Sequence, residues 1–191
     1  METTLAAEPV PATAVAAGEL ADFDAVVRDH QPVIFRFLLA SLREREPAEN
    51  LTQECFLRAY QARRSFRGEA SVRTWLMRIA VNLLHDHRKS ARLRFWRRVA
   101  ETSLDIEFTG DWLADRRSSP EAEASAREQV KAVWRAAAEL SERQRTVFLL
   151  RFVEDMDLLD IAEATGLKEG TVKIHLFRAL QAVRERLGEQ K

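Results

Sequence analysis

The amino-acid sequence predicts an all-α protein of two small helical domains joined by a flexible linker. Three observations carry this. Ala, Leu, Arg and Glu, all good helix formers, dominate the 191 residues. Six glycines, five prolines and a single tyrosine leave little turn chemistry for a many-stranded sheet. Apolar residues recur at three- and four-residue spacing on both sides of one aperiodic acidic stretch.

Taken in order, residues 1–19 are Ala-rich, hold Pro9, Pro11 and Gly18, and show no period, which predicts a disordered tail. Phe23, Val26, Val27, Ile34, Phe35, Leu38, Leu39 and Leu42 have helical spacing, with Pro32 marking a break or kink, so a helix or a helix pair is expected there. Pro47 suits the first turn of the next helix and Glu49 the positive end of its dipole. Leu51, Cys55, Phe56, Ala59 and Tyr60 supply its apolar stripe. Arg63 to Gly68 reads as a loop. Ser71 then caps a helix with Trp75, Leu76, Ile79, Ala80, Leu83 and Leu84 on one face and Arg73, Arg78, Asn82 and His85 elsewhere. These helices form a first domain over 20–98.

Residues 99–119 are acidic and aperiodic, the mark of a linker. Ser119-Pro120-Glu121 starts a helix that runs towards Leu140, and a second domain spans 120–191. Ser141-Glu142-Arg143-Gln144 fits a capping box, with Val147, Phe148 and Leu150 on the helix it opens. Leu158, Ile161 and Ala162, the turn Thr165-Gly166-Leu167, and the stripe Val172, Leu176, Ala179, Leu180, Val183 and Leu187 have the spacing of a helix-turn-helix. There a small Ala lets the helices approach, Gly166 permits positive φ and Val172 plugs the angle. An ordinary αα-corner is the alternative. Lys168 stands at the cap position of the second helix and caps poorly, which leaves helix-start amides open to fraying or to a DNA phosphate.

Equal numbers of basic and acidic residues, 30 of each, hide a polarised distribution. Residues 58–98 hold twelve Lys and Arg against two acidic residues, and 168–191 are also net basic, whereas 1–57 and 99–142 are net acidic. Most charge runs are solvated helix faces. One so dense repels itself unless a polyanion neutralises it, and Tyr60, Phe66, Trp75, Phe95 and Trp96 lie among its cations, a pattern suited to a strand with unstacked bases. On the C-terminal helix, Thr171, Lys173, His175 and Arg178 project from the apolar stripe towards phosphates and base edges.

Several classes are disfavoured. Cys55 is the lone cysteine, so no internal disulfide forms. It lies in an apolar stripe and reads as packed rather than as a redox sensor. No apolar run approaches the roughly 18 residues of a membrane span. Glu2 and Glu8, with no Lys or Arg before Arg28, do not make the basic start of a signal peptide. A cytoplasmic protein without membrane insertion is expected. His85 and His87 point to different sides of a helix, no His or Cys cluster has metal spacing, and no Gly-rich phosphate loop follows a strand. Neither an enzyme nor a cofactor is therefore expected.

Five strings carry a family resemblance: Ala48 to Tyr60, Ser65 to Gly68, Thr74 to Asn82, Leu140 to Arg145, and Gly170 to Lys173 with Phe177 to Ala179. In order and spacing they resemble regions 2 and 4 of the extracytoplasmic-function class of bacterial sigma factors. The resemblance implies a protein that binds RNA polymerase core, recognises −35 and −10 promoter elements and melts the −10 DNA. It implies that Glu49, Asn50, Gln53 and Glu54 grip the clamp helices of the largest polymerase subunit, Asn50 standing where Asp is more usual, and that region 4 meets the polymerase flap. It places Phe66, Arg67, Gly68, Arg73, Arg78 and Asn82 at the −10 element, with Asn82 beside a base flipped from the non-template strand. Asn82 as a helix cap or an interhelical amide is the alternative. Trp75 is read as core. Thr171, Lys173, His175, Phe177 and Arg178 match −35-reading positions. Ile174 and His175 stand where relatives often carry small polar or basic residues, so a different −35 sequence is expected. The acidic linker would run through the polymerase channel, or Trp96 and Trp112 would pack on the domains in a compact state held by an anti-sigma factor. A self-sufficient helix-turn-helix regulator explains region 4 alone and leaves the region 2 strings without purpose.

Overall fold

The structure, a computed structural model, describes residue 20, residues 22–98 and residues 130–188. The tail at 1–19, the linker at 99–119 with Trp112, the helix start at Ser119-Pro120-Glu121 and the side chain of Trp96 lie outside the described residues. Every regular element among the described residues is helical.

Helix α1 (Phe23–Leu42) begins where the Asp22 carboxylate accepts the Ala25 N–H at 3.0 Å and ends at Arg43, whose φ of 65° turns the chain. Pro32 lies within it, exposed, and the helix continues across it as one element. The physical reason is packing on both sides of the proline: Val26 before it and Ile34, Phe37 and Leu38 after it enter one core. Each fully buried side chain of that kind is worth roughly 1.5–3 kcal/mol, enough to outweigh one missing helix hydrogen bond.

Helix α2 (Arg45–Ala62) holds Pro47 in its first turn. A short 3₁₀ turn, Arg63–Ser65, leads to an extended stretch in which Gly68 takes φ of 71°, a conformation that side-chain-bearing residues resist. Ser71 then accepts the Thr74 N–H at 3.0 Å and caps α3 (Val72–Arg98). Met77, absent from the expected stripe, is fully buried beside Leu76 and Ala80. Tyr60 departs from its expected place in the apolar stripe. About half exposed, it meets Phe23 edge-on at 5.2 Å and carries the Arg63 guanidinium 3.6 Å above its ring.

The C-terminal half comprises α4 (described over 130–138), α5 (Glu142–Phe152), α6 (Leu158–Thr165) and α7 (Glu169–Gly188). The capping box closes through Ser141 N–H donating to Gln144 Oε1 at 3.2 Å. The Arg145 guanidinium donates to the carbonyls of Ala137, Ala138 and Leu140, satisfying acceptors that the end of α4 leaves open. Burial, with Arg88 and Arg43 nearby, pushes its pKa down to about 10, so it stays charged at neutral pH. Gly166, at φ of 68°, ends α6, and Val172 is fully buried between α6 and α7, as a helix-turn-helix requires. The first turn of α7 is regular: the Lys168 carbonyl accepts the N–H groups of Thr171 and Val172, and Glu169 sits at the positive helix end.

The two halves touch. Helix α3 packs on α6 and α1 on α5, and the buried apolar cluster runs through both. Cys55 belongs to it, its thiol donating to the Leu76 carbonyl at 3.5 Å. Burial pushes that thiol up to about 12, leaving roughly one thiolate in ten thousand molecules at pH 8. Maleimide at pH 8 is expected to spare Cys55 in the native chain and to label it fully in urea, as read by intact mass; rapid native labelling would contradict its packing.

Candidate nucleic-acid and polymerase interface

Helix α2 turns one side outward. Asn50, Gln53, Glu54 and Leu57 stand at i, i+3, i+4 and i+7, which aligns them over two turns. Asn50 and Gln53 are exposed and form no hydrogen bond within the described structure. Glu49 sits at the shoulder, held by Arg45 at 2.7 Å, and Glu54 is held by Arg58 at 2.7 Å. Such exposed one-turn pairs are worth only about 0.3–0.5 kcal/mol, so both carboxylates can change partner readily. Leu57, 52% exposed, adds an apolar contact that the motif strings do not single out; exposure on a helix otherwise apolar at 51, 55, 56 and 59 is its only signal.

The extended stretch and α3 form a second face. Phe66 packs on Trp75 with ring centroids 5.0 Å apart. Trp75, Arg78 and Asn82 follow at i, i+3 and i+7, so the loop aromatic, a cation and an amide share one side of α3. Trp75 is therefore half-buried and acts as the floor on which Phe66 rests, rather than as core alone. Asn82 is exposed in the middle of α3 and has no hydrogen-bond partner within the described structure, so it is neither a cap nor an interhelical amide. Arg67 is exposed beside Gly68. Arg73 does not join this group. Nine residues are two and a half turns, which puts Arg73 on the side of α3 opposite Asn82. There its guanidinium donates to the Glu154 carbonyl and lies 3.6 Å from the Glu154 carboxylate.

On α7 the outward stripe is Gly170, Lys173, Ile174, Phe177, Arg178 and Gln181, all exposed. Phe177 is 65% exposed and Ile174 52%, and Lys173 pairs with Glu169 at 2.6 Å. Thr171 and His175 stand at the half-buried edges of the stripe. His175 Nδ1 is buried without a hydrogen-bond partner, and desolvation, with Arg143 and Arg178 nearby, lowers the imidazole pKa. At neutral pH this ring is uncharged, a shape element rather than a phosphate-binding cation. Among the described residues no group of His, Cys, Asp and Glu has the arrangement of a metal site, and no helix is long and apolar enough to cross a membrane.

A helix-turn-helix with an outward basic and apolar stripe, and a second group of helices with an unengaged amide on the same side of α3 as Trp75 and Arg78, are features of an all-α DNA-binding protein. Comparison with known proteins makes the class specific. The family profile "Sigma-70 region 2" matches residues 26–94 and "Sigma-70, region 4" matches 131–183. The RNA polymerase sigma-H factor of Pseudomonas aeruginosa is 34% identical over 168 residues, covering 87% of this chain and 86% of that protein. The ECF RNA polymerase sigma factor SigL of Mycobacterium tuberculosis is 31% identical over 175 residues, covering 91% and 93%. Among solved structures, the sigma factor RpoE of Bartonella quintana, in complex with the anti-sigma factor NepR, is similar with a TM-score of 0.68 at 22% identity, over 89% of this chain and 99% of that one. CnrH in complex with the cytosolic domain of CnrY gives 0.64 at 19% identity, over 94% and 99%. The chain belongs to the extracytoplasmic-function class of RNA polymerase sigma factors, which direct the start of transcription.

Proposed function

We propose that three exposed faces divide the work of initiation in this chain, within a region 2 domain over 20–98, an acidic linker over 99–119 and a region 4 domain over 120–191. The α2 face of Asn50, Gln53, Glu54 and Leu57, with Glu49 at its edge, binds the clamp helices of polymerase core. Amide and carboxylate oxygens on one side of a helix accept from Arg side chains, and Leu57 gives the contact an apolar centre. Region 4 meets the flap. Phe66, Arg67, Gly68, Arg78 and Asn82 hold the non-template strand of the −10 element: the amide offers a donor and an acceptor to one base edge, and the aromatic and cation suit an unstacked base and its phosphate. Lys173, Ile174, Phe177 and Arg178, flanked by Thr171 and His175, enter the major groove of the −35 element, where Ile174 and Phe177 can touch thymine methyl groups. On this reading the chain works in the cytoplasm, as a non-enzymatic initiation factor, and an anti-sigma factor is its natural antagonist.

The observation that carries the reading is the unengaged Asn82 amide on the same side of α3 as Arg78 and the Trp75-supported Phe66. The test mixes the purified chain with core polymerase and promoter DNA. Promoter-specific transcripts without another sigma factor are expected. Specific DNA binding by the chain alone, with no association with core, would replace this reading by that of a self-sufficient regulator.

A further inference from the structure

The acidic residues of the C-terminal half are concentrated where a DNA-binding motif would least favour them. Residues 152–167, which lead into the first helix of the helix-turn-helix and include it, hold five carboxylates and no Lys or Arg. Two serve their own surroundings: Asp157 caps α6 by accepting the Asp160 N–H at 2.7 Å, and Asp155 pairs with Arg151 at 3.6 Å. The other three reach the first domain. Asp160 accepts the Thr74 hydroxyl at 2.9 Å, Glu163 accepts Arg78 at 3.0 Å, and Glu154 receives a two-pronged guanidinium contact from Arg36 at 2.9 and 2.6 Å.

Glu154 is the centre of the contact. Its side chain is 0% exposed, while Arg36 and Arg73 keep more than a third of theirs in water. A carboxylate is buried so fully only when paired, and the cations that pair it come from α1 and α3 of the other domain. The hydrogen bond that Arg36 donates to Glu154 holds the Arg36 pKa above its ordinary value. At the far end of the same contact Glu142 lies 3.7 Å from Arg88 and 3.6 Å from His85. Four carboxylates thus track along α3 over four turns, much as a phosphate backbone would.

We propose that α6 and the segment before it act as an intramolecular stand-in for DNA: they dock on the basic side of α3, are locked there by Glu154, and engage Arg78 until polymerase and promoter displace them. The inference rests on the proposed −10 role of Arg78. It also assigns Arg73, which faces away from Asn82, to the lock instead of to the promoter. The recognition stripe of α7 and the Asn82 amide are left outside the docked contact, so closure acts on the −10 face through Arg78 alone.

The decisive variant is Arg36→Gln in the full chain. It removes a cation, which by charge alone would weaken binding to any nucleic acid. If Arg36 holds the lock, its loss frees Arg78 and raises affinity instead. By small-angle scattering the wild-type chain is expected to be compact and Arg36→Gln to show a radius of gyration larger by about a fifth. Fluorescence anisotropy with an oligothymidine of about 20 nucleotides should show binding about fivefold tighter at equal salt, a gain abolished by adding Arg78→Ala. Glu154→Gln with Glu163→Gln approaches the lock from the other side and should open the chain likewise. The charge-matched Asp155→Asn with Glu185→Gln, both exposed and outside the contact, should leave it closed. Circular dichroism checks that each variant keeps its helices; should one unfold, its counterpart on the other side of the lock decides the matter. An extended wild-type chain, opening without tighter binding, or a gain that survives Arg78→Ala would each overturn the proposal. Promoter-specific transcription with core is scored separately: its absence in wild type and variants alike refutes the initiation reading and leaves the closure measurement to stand or fall by itself.

Discussion

Replacing Gln53 and Leu57 together by alanine is expected to weaken binding of this sigma factor to polymerase core by about 30-fold, the equivalent of roughly 2 kcal/mol, while leaving its thermal unfolding unchanged. Both side chains lie on the outward side of α2 and contribute nothing to the core, so truncating them should alter stability by less than about 0.5 kcal/mol. The loss is large because the proposed interface has an amide beside an exposed leucine at its centre, whereas Glu49 and Glu54 at its edges already have Arg45 and Arg58. Titration of labelled core with the variant measures it, and affinity equal to wild type would remove this face of α2 from the polymerase interface. Glu54→Ala alone should cost less, since Glu54 lies at the edge of the face and is already paired with Arg58.

What was legible in the sequence is what is decided within a turn of helix. Ser71 with Thr74, Ser141 with Gln144, and Gly166 at the end of α6 behave as their local chemistry predicts, because each satisfies or releases backbone groups three or four residues away. The apolar stripes of α1, α3 and α7 were legible for the same reason. Positions whose fate depends on a second surface were not. Pro32 argued for a break because a proline removes a hydrogen bond, and only the shared core on either side of it makes the helix continuous. Met77 and Thr74 are buried on sides of α3 that one stripe does not cover, Thr74 where α6 packs.

The candidate site divides along the same line. That Asn50, Gln53 and Asn82 are exposed follows from periodicity, and the structure leaves their amides unengaged. That Arg73 and Arg78 part company is also implicit in the helical repeat, yet a count of cations along the chain treats them alike. The docking of an acidic helix onto α3 could not be anticipated, because segment charges for 143–167 come out only mildly negative when Arg143, Arg145 and Arg151 are counted with them. Those arginines lie on α5, where Arg145 donates to carbonyls at the end of α4 and Arg151 to the Met156 carbonyl, leaving Glu154, Asp160 and Glu163 to the other domain. On α7, His175 is expected among the residues projecting towards phosphates and base edges, but its ring is half-buried at the edge of the stripe, which leaves the outward charge to Lys173 and Arg178.

Asn82→Ala should leave core binding intact and reduce open promoter complexes by about tenfold to a hundredfold, measured as permanganate reactivity of thymines in the −10 region. A paired donor and acceptor reading one base edge is worth roughly 1–3 kcal/mol, a contact that the aromatic beside the strand does not supply. The amide is free before DNA arrives, so nothing within the protein must be broken to form that contact and nothing is lost from the fold when it is removed. Asn82→Asp separates the two halves of the amide: it keeps an acceptor, loses the donor and adds a charge facing the phosphates, so it should melt DNA less well than alanine at low salt and approach it as salt screens the repulsion. Arg78→Ala, one turn away, should instead weaken binding of melted strand with a shallower salt dependence, because it removes a phosphate contact rather than a base contact. Normal opening by Asn82→Ala, with core binding also normal, would show that the flipped base is held elsewhere and that this side of α3 serves only as a path for the strand.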